Sequence, residues 1–525
     1  MSDLNSNKFK TLSLVAFCAG VVSIWTQTIF AREIMSVALG SELTLGMLFA
    51  LWFIWIAIGS LSYNFLRKVY FKRFASLYYL PAIVFVLDGI SVVFIPEILP
   101  LIPSFAGVMA GEYIPLSKLI LPLTFLVFPP AFAAGFLFPA ISFKAINLSD
   151  NGETNTGNIT IIYQWEAIGF LIGGLLSSFF LVNHFTVYEI AWLTFAVCLG
   201  GASSFIMSKL IARGVIIAGT IFIFIVLLKP QWENSLVDGA IIRKLKHLNF
   251  IQQDKEGGYN PCLKFYKDSK YQNIFVTESF GQYVVYLDSQ VSHVLPDPVQ
   301  YETETGIVMT QQPHAKKVLV LGGCILGEVS EFLKYNVEEV TSVEIDPVLN
   351  DLIRQILPDQ FARITQNKKL KIVYDDPFHF LRECSRKYDI IYARLPSPLN
   401  LASARFWTKE FYQTIRERLS PEGIFYTSLI STERLSTYSL LMMSSVYNAI
   451  KMSFPKIAIA AGNPIRFFAG NENSTITVNP EELSSRANKI CINENMFFKP
   501  EYFANNDDFQ EYKINLILNK IKKVT

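Results

Sequence analysis

Histidine and cysteine are scarce in this chain, with five and six among 525 residues. Cys18, Cys198, Cys262, Cys324, Cys384 and Cys491 lie far apart and include no CxxC pair. That spacing excludes both a disulfide framework and a paired-thiolate zinc site. Five scattered histidines supply no ligand set for a structural metal. An excess of one charge is also missing, since 46 Lys and Arg face 44 Asp and Glu. Residues 230–525 hold 34 of each sign, so this half has no basic surface to meet phosphates. Nucleic acid is therefore excluded as a partner.

What the chain has in abundance is apolar sequence. Its mean hydropathy is +0.33 with 51% hydrophobic residues, and the excess falls in the first 229 positions. Seven stretches there match the roughly 20 residues that a membrane-spanning helix needs. They are 12–31, 43–63, 77–95, 119–141, 159–182, 187–207 and 210–228. The first follows Lys8 and Lys10 as a signal peptide would, but it is too long and no small-residue cleavage site follows, so it reads as retained. The apolar connection 96–117 could hold a re-entrant segment. Pro129-Pro130 and Pro139 predict kinks in the fourth span. Gly169, Gly173 and Gly174 predict close helix approach in the fifth.

Basic residues set the expected orientation. Lys8, Lys10, Arg67, Lys68, Lys72, Arg73, Lys144, Lys209 and Arg213 lie on one set of alternate connections, against Arg32 and Lys118 on the other. Nine against two places the N-terminus in the cytoplasm, and seven spans then place the C-terminal domain outside it. The expected environment is a cell membrane crossed several times, with the lipid bilayer as the first partner. Asp88 and Glu166 fall inside spans, where an acid is costly in lipid. They read either as functional groups or as interhelical hydrogen bonds that fix packing.

The rest of the chain divides into a linker and β-hairpin region, 230–312, and an α/β region, 313–525. Residues 273–278 and 283–288 alternate around 279–282 as a hairpin does. Strands are expected at 317–321, 339–344, 370–374, 388–392 and 423–428, with helices at 327–335, 347–356, 377–385, 406–419 and 432–452. This alternation predicts a Rossmann-type, doubly wound parallel sheet. Its first strand, Val318-Leu319-Val320-Leu321, runs into Gly322-Gly323-Cys324-Ile325-Leu326-Gly327, and Glu344 follows 22 residues after Gly322. A strand, a glycine turn, a helix and an acid at the next strand tip together form a nucleoside-binding pattern. The glycines admit the ligand to the backbone and the acid accepts from the ribose hydroxyls.

Ser269-Lys270-Tyr271-Gln272, Leu287-Asp288, the glycine turn, Val343-Glu344-Ile345-Asp346-Pro347, the run from Tyr374 to Leu381, the run from Tyr388 to Pro398 and Phe406-Trp407-Thr408 to Tyr412 resemble the spermidine synthases. The membrane-capable half resembles the multi-span segment fused to such domains in some bacteria. The resemblance implies a polyamine aminopropyltransferase fold that takes decarboxylated S-adenosylmethionine, with S-adenosylmethionine or methylthioadenosine as alternative ligands. It implies that Gln272 meets the nucleoside, that Gly322, Gly323 and Gly327 form its turn, that Glu344 holds the ribose and that Asp376 faces the adenine. Gln272 reads equally as a turn residue, and Asp376 as the cap of a helix starting at Pro377.

The family's acids are replaced. Ile325 stands where the resemblance implies an aspartate in the glycine turn. In Ala393-Arg394-Leu395-Pro396-Ser397-Pro398, Arg394 and Ser397 stand where it implies two more. Tyr301 is followed by Glu302-Thr303 in place of a His-Glu pair. Amines are mostly protonated at neutral pH, so aminopropyl transfer needs an acid to bind the cationic acceptor and take its proton. An arginine repels that acceptor and cannot act as a base. The expectation is a pseudoenzyme with no catalytic residue, a binding or assembly subunit of a membrane complex with other subunits or copies of itself. An active aminopropyltransferase or an S-adenosylmethionine-dependent transferase acting on a different acceptor, such as an anionic one suited to Arg394, is the alternative, and transport through the spans is a second.

Overall fold

The computed structural model describes residues 2–205, 214, 217–221, 262–429 and 437–524, apart from the connections 39–41, 71–78, 108–113 and 148–154 and positions 289, 491, 493, 494 and 506. It divides into two compact units, Met1–Ser279 with Tyr286–Val291, and Phe280–Val285 with Ser292–Thr525.

In the first unit, six helices among the described residues are long and apolar enough to cross a membrane. They are Lys8–Val37, Glu42–Val69, Leu80–Ala106, Leu116–Ile146, Gly157–His184 and Val187–Phe205. The expected seventh span, 210–228, lies largely outside the described residues, as does the linker up to 261. The third helix continues to Ala106 with Pro96 inside it, which takes up much of the stretch that could have been re-entrant. Glycine decides how the helices pack. A Cβ on Gly169 would strike the Phe17 carbonyl oxygen, and one on Gly20 would strike that of Glu166. The first and fifth helices therefore meet backbone to backbone. Trp25 Nε1 donates to the Gly173 carbonyl across the same contact at 3.0 Å. Gly59 and Gly135 do the same for the second and fourth helices, against the Phe132 and Ile56 carbonyls. Arg32 closes the end of the first helix by donating to the carbonyls of Val182 (3.3 Å) and Ser269 (3.2 Å). Asp88 is buried on the third helix, and Glu166 is half-buried on the fifth.

Strands β1 (Cys262–Asp268), β2 (Asn273–Ser279), β3 (Gln282–Leu287) and β4 (Gln290–Leu295) form a four-stranded sheet in that order. The expected hairpin is present. Its turn places Phe280 and Gly281 at φ 48° and 77°, the paired left-handed geometry of tight two-residue hairpins.

The second unit contains the Rossmann-like sheet. Its strands are β5 (Lys317–Gly322), β6 (Glu339–Glu344), β7 (Leu370–Tyr374), β8 (Tyr388–Arg394), β9 (Leu419–Leu429), β10 (Lys456–Ala460) and β11 (Ile465–Gly470). The spatial order is β10-β11-β9-β8-β5-β6-β7. β5 pairs in parallel with both β6 and β8, and β7 and β9 extend the parallel set. β11 runs antiparallel to β9 and to β10, so the sheet is mixed and not wholly parallel. The physical reason is chain length. Four residues separate β10 from β11, too few for the crossover that a parallel pair requires.

β5 is buried on both faces, as a central parallel strand must be. Val318 and Val320 join Phe332, Val340, Ile390 and Tyr392 on one side. Leu319 and Leu321 join Val343, Ile391, Phe411 and Phe425 on the other. The strand order reverses at β5, with β6 on one side and β8 on the other. This is the switch point outside whose strand ends ligands bind in open α/β sheets.

Candidate functional site at the sheet switch point

β5 delivers Gly322 and Gly323 at φ 67° and 93°, where a side chain is strained. A Cβ on Gly322 would also lie 2.5 Å from the Arg394 carbonyl oxygen, so β8 presses against the turn. Gly327 serves another purpose. A Cβ there would lie 2.6 Å from the Tyr301 ring, so this glycine admits the helix Pro298–Gln311 and not a ligand. Between them Cys324 and Ile325 are fully buried. The expected helix 327–335 is a π turn, Ile325–Val329, followed by one short helix, Ser330–Lys334.

The side chain that organises this turn is Glu328, which sequence reasoning missed. It is fully buried, and its Oε2 accepts the Cys324 N–H at 2.9 Å. Its Oε1 takes a charge-assisted hydrogen bond from Arg394 Nη1. Arg394 Nη2 donates to the Ser292 carbonyl at 2.9 Å, and the guanidinium carbon stands 5.8 Å from the Tyr301 ring centre. Burial pushes the Glu328 carboxyl upward, but Arg394, His293 and the Cys324 N–H outweigh it and hold the group below its ordinary value. His293 is buried beside this pair. Burial and Arg394 lower its pKa to about 4 against the opposing pull of Glu328, so the imidazole is neutral. An acid just after a glycine turn reads as an exposed first-turn residue at a helix N-terminus. The only available signal was that Arg394 needed a partner.

Glu344 lies at the tip of β6, buried, with Oε1 accepting from the Asp346 N–H at 3.0 Å. Burial raises its pKa to about 7, and the Asp346 N–H opposes that shift. Between about pH 4.5 and 7 the native state therefore keeps a proton that the unfolded chain has released. Stability from this group is complete below that window and is lost as pH rises through it. Glu344→Gln is expected to match wild type near pH 4.5 and to be more stable at pH 8 by roughly 2–3 kcal/mol. Thermal unfolding followed across pH checks this.

The other expected site residues have local partners. Asp376 caps the helix Pro377–Glu383, with Oδ1 accepting from the N–H groups of Phe378 (2.9 Å) and His379 (3.1 Å). Its Oδ2 is ion-paired with Arg405. The structure thus brings Gly322, Gly323 and Arg394 together, sets Glu344 on the neighbouring strand, and follows it with Asp376 beyond β7. Gln272 belongs to the other compact unit, in the turn between β1 and β2, where Ser269 Oγ accepts from its N–H at 3.0 Å. Glu302 accepts the N–H groups of Met496 and Phe497, both at 2.9 Å. Glu304 is buried against Arg466, at 2.5 Å, and the Tyr426 hydroxyl. Among the described residues no cluster of His, Cys, Asp and Glu is arranged for a metal.

Residues 299–480 match the family model described as the spermine/spermidine synthase domain. Among curated proteins the chain is similar to a polyamine aminopropyltransferase of Sulfurisphaera tokodaii, 27% identical over 228 residues, 41% of this chain and 74% of that protein. It is also similar to one from Oceanobacillus iheyensis, 31% identical over 36% of this chain and 37% of that protein. A third, from Pectobacterium atrosepticum, is 32% identical over 29% of this chain and 53% of that protein. The chain therefore spans less than two thirds of the length of the last two. A spermidine synthase in complex with the transition state analogue AdoDATO aligns at 20% identity with a TM-score of 0.42, over 49% of this chain and 90% of that one. The residues matched by the family model and the curated relatives agree that the C-terminal region of this chain is a spermidine synthase-like domain.

Proposed function

We propose that this chain is a polytopic membrane protein whose spermidine synthase-like domain acts as a binding or assembly subunit of a membrane complex, and not as an aminopropyltransferase. The observation that carries this reading is the Glu328–Arg394 pair at the switch point, with the carboxylate fully buried and the arginine partly so. A cationic acceptor needs a free carboxylate there to bind it and take its proton. The available carboxylate, Glu328, is already neutralised by Arg394, and the Cys324 N–H is turned inward to the same acid. The residues present do not fit decarboxylated S-adenosylmethionine in its reactive pose, because Ile325 is buried in the turn and Asp376 is held by its own helix and Arg405.

The membrane reading rests on the six long apolar helices and the stretch 210–228. The basic bias supports a cytoplasmic N-terminus and a domain on the opposite side. A cysteine introduced at exposed Glu501 should react with a membrane-impermeant maleimide in intact cells. Reaction only after permeabilisation would overturn that placement.

Glu344 favours a second reading, in which a nucleoside is still bound and another group is transferred. Two charge-assisted hydrogen bonds to a ribose contribute roughly 1.5–3 kcal/mol each, so Glu344→Ala would weaken such binding at least about tenfold. Calorimetric titration of the full chain in detergent with methylthioadenosine and S-adenosylmethionine separates the two. No heat of binding at millimolar ligand is expected. Binding that Glu344→Ala abolishes, without loss of stability, would establish the second reading.

A further inference from the structure

We propose that Arg394 is a tethered cation filling a cation site that the domain builds from Glu328, Ser292, Tyr301 and His293, and that a free guanidinium ion occupies this site when the arginine side chain is removed. The inference rests on the reading that the switch-point crevice has been repurposed.

The surroundings of the guanidinium come from three segments other than its own strand. The π turn supplies a fully buried carboxylate, Glu328. β4 supplies the Ser292 carbonyl at 2.9 Å and, next to it, His293. The helix Pro298–Gln311 supplies the Tyr301 ring face, 5.8 Å from the guanidinium carbon. A carboxylate, a carbonyl and an aromatic face each attract a cation. His293 is 3% exposed and its Nδ1 has no hydrogen-bond partner. In the wild-type chain burial and Arg394 keep this ring neutral, with a pKa of about 4 despite the pull of Glu328, so it places no competing charge beside Arg394. Tyr392, whose hydroxyl lies 3.5 Å from Glu328 Oε1, is the contribution of Arg394's own strand. Apart from Tyr392, the groups of the cradle therefore come from segments other than Arg394's own strand.

Two consequences follow. A buried carboxylate without its cation is strongly unfavourable, so removing the arginine side chain creates a demand that a small soluble cation can meet. Tethering gives Arg394 an effective concentration in the millimolar range or above, so the wild-type site stays closed to dilute free cations.

The test uses the full chain in detergent and reads amide hydrogen exchange in the peptides covering 318–334 and 388–398. Arg394→Ala is expected to exchange at least about tenfold faster there than wild type. Methylguanidinium at up to about 20 mM should restore most of the protection along a saturating curve. Urea and sodium chloride at equal concentration should not, and adding Glu328→Gln should abolish the effect. Wild type should be insensitive. If Arg394→Ala does not yield folded protein, the same comparison is made on Arg394→Gln. Unchanged exchange in the variant, no saturable restoration, equal restoration by urea or salt, or restoration that survives Glu328→Gln would each overturn the proposal. Failure of the functional reading would register separately, as aminopropyl transfer by wild type.

Discussion

Glu328→Gln is expected to destabilise the α/β domain by about 3–5 kcal/mol, because it leaves the Arg394 guanidinium largely buried without its counter-charge. The cost arises from desolvation. A charge withdrawn from water must be compensated locally, and the remaining contacts of Arg394 are the neutral Ser292 carbonyl and the Tyr301 ring. The paired replacement, Glu328→Met with Arg394→Met, removes both charges and should cost far less than either single change, or even stabilise. The pH dependence has a definite sign. The folded value for Glu328 lies below the unfolded one, so its contribution is complete above the ordinary carboxylate range and is lost as pH falls through the folded value. The gap between wild type and Glu328→Gln should therefore be wide at pH 7 and close in strong acid. Amide exchange across β5 and β8 reads this locally, which matters because a chain of two compact units need not unfold in one step. A variant as stable as wild type at pH 7 would mean that the pair does not organise the turn.

Much of the fold was legible because its signals are local. Val318 to Leu321 alternate between two buried faces, and the glycines and the acid at 344 fall at the spacing that one helix and one strand impose. Pro347 and Pro377 sit in the first turn of helices whose caps, Asp346 and Asp376, stand immediately before them. What escaped depends on distant parts of the chain. Gly327 looked like a ligand-facing glycine, yet its space is taken by the Tyr301 ring from a helix that begins 29 residues earlier, at Pro298. Gly20 and Gly59 carried no motif of their own, and their importance lies in a second helix more than 70 residues away. β10 and β11 are short apolar runs joined to each other without an intervening helix, so a count of alternating strands and helices passed over them. Glu328 was missed for the same kind of reason. Its partner lies 66 residues on, and nothing near it in sequence distinguishes a buried acid from a solvated one.

That Ile325 and Arg394 stand where the resemblance implies acids was visible at once, but what surrounds them was not. Ile325 and Arg394 could have been isolated losses in an otherwise open crevice. The structure instead gives Arg394 a dedicated partner, and gives that partner a second bond to the Cys324 N–H in the glycine turn itself. Restoring one acid, as in Arg394→Asp, would place two carboxylates side by side where one is fully buried, and like charges at that distance do not both ionise. On the proposed reading, a single change to an acid is therefore not expected to give aminopropyl transfer.

The most direct measurement is aminopropyl transfer by the full chain in detergent, supplied with putrescine and decarboxylated S-adenosylmethionine, with spermidine read against a control lacking protein. The account predicts no product above that control, because Glu328, the buried carboxylate of the glycine turn, is neutralised by Arg394 and cannot take a proton from the attacking amine. Spermidine formed above the control, and lost on Glu344→Ala or Asp376→Ala, would contradict it.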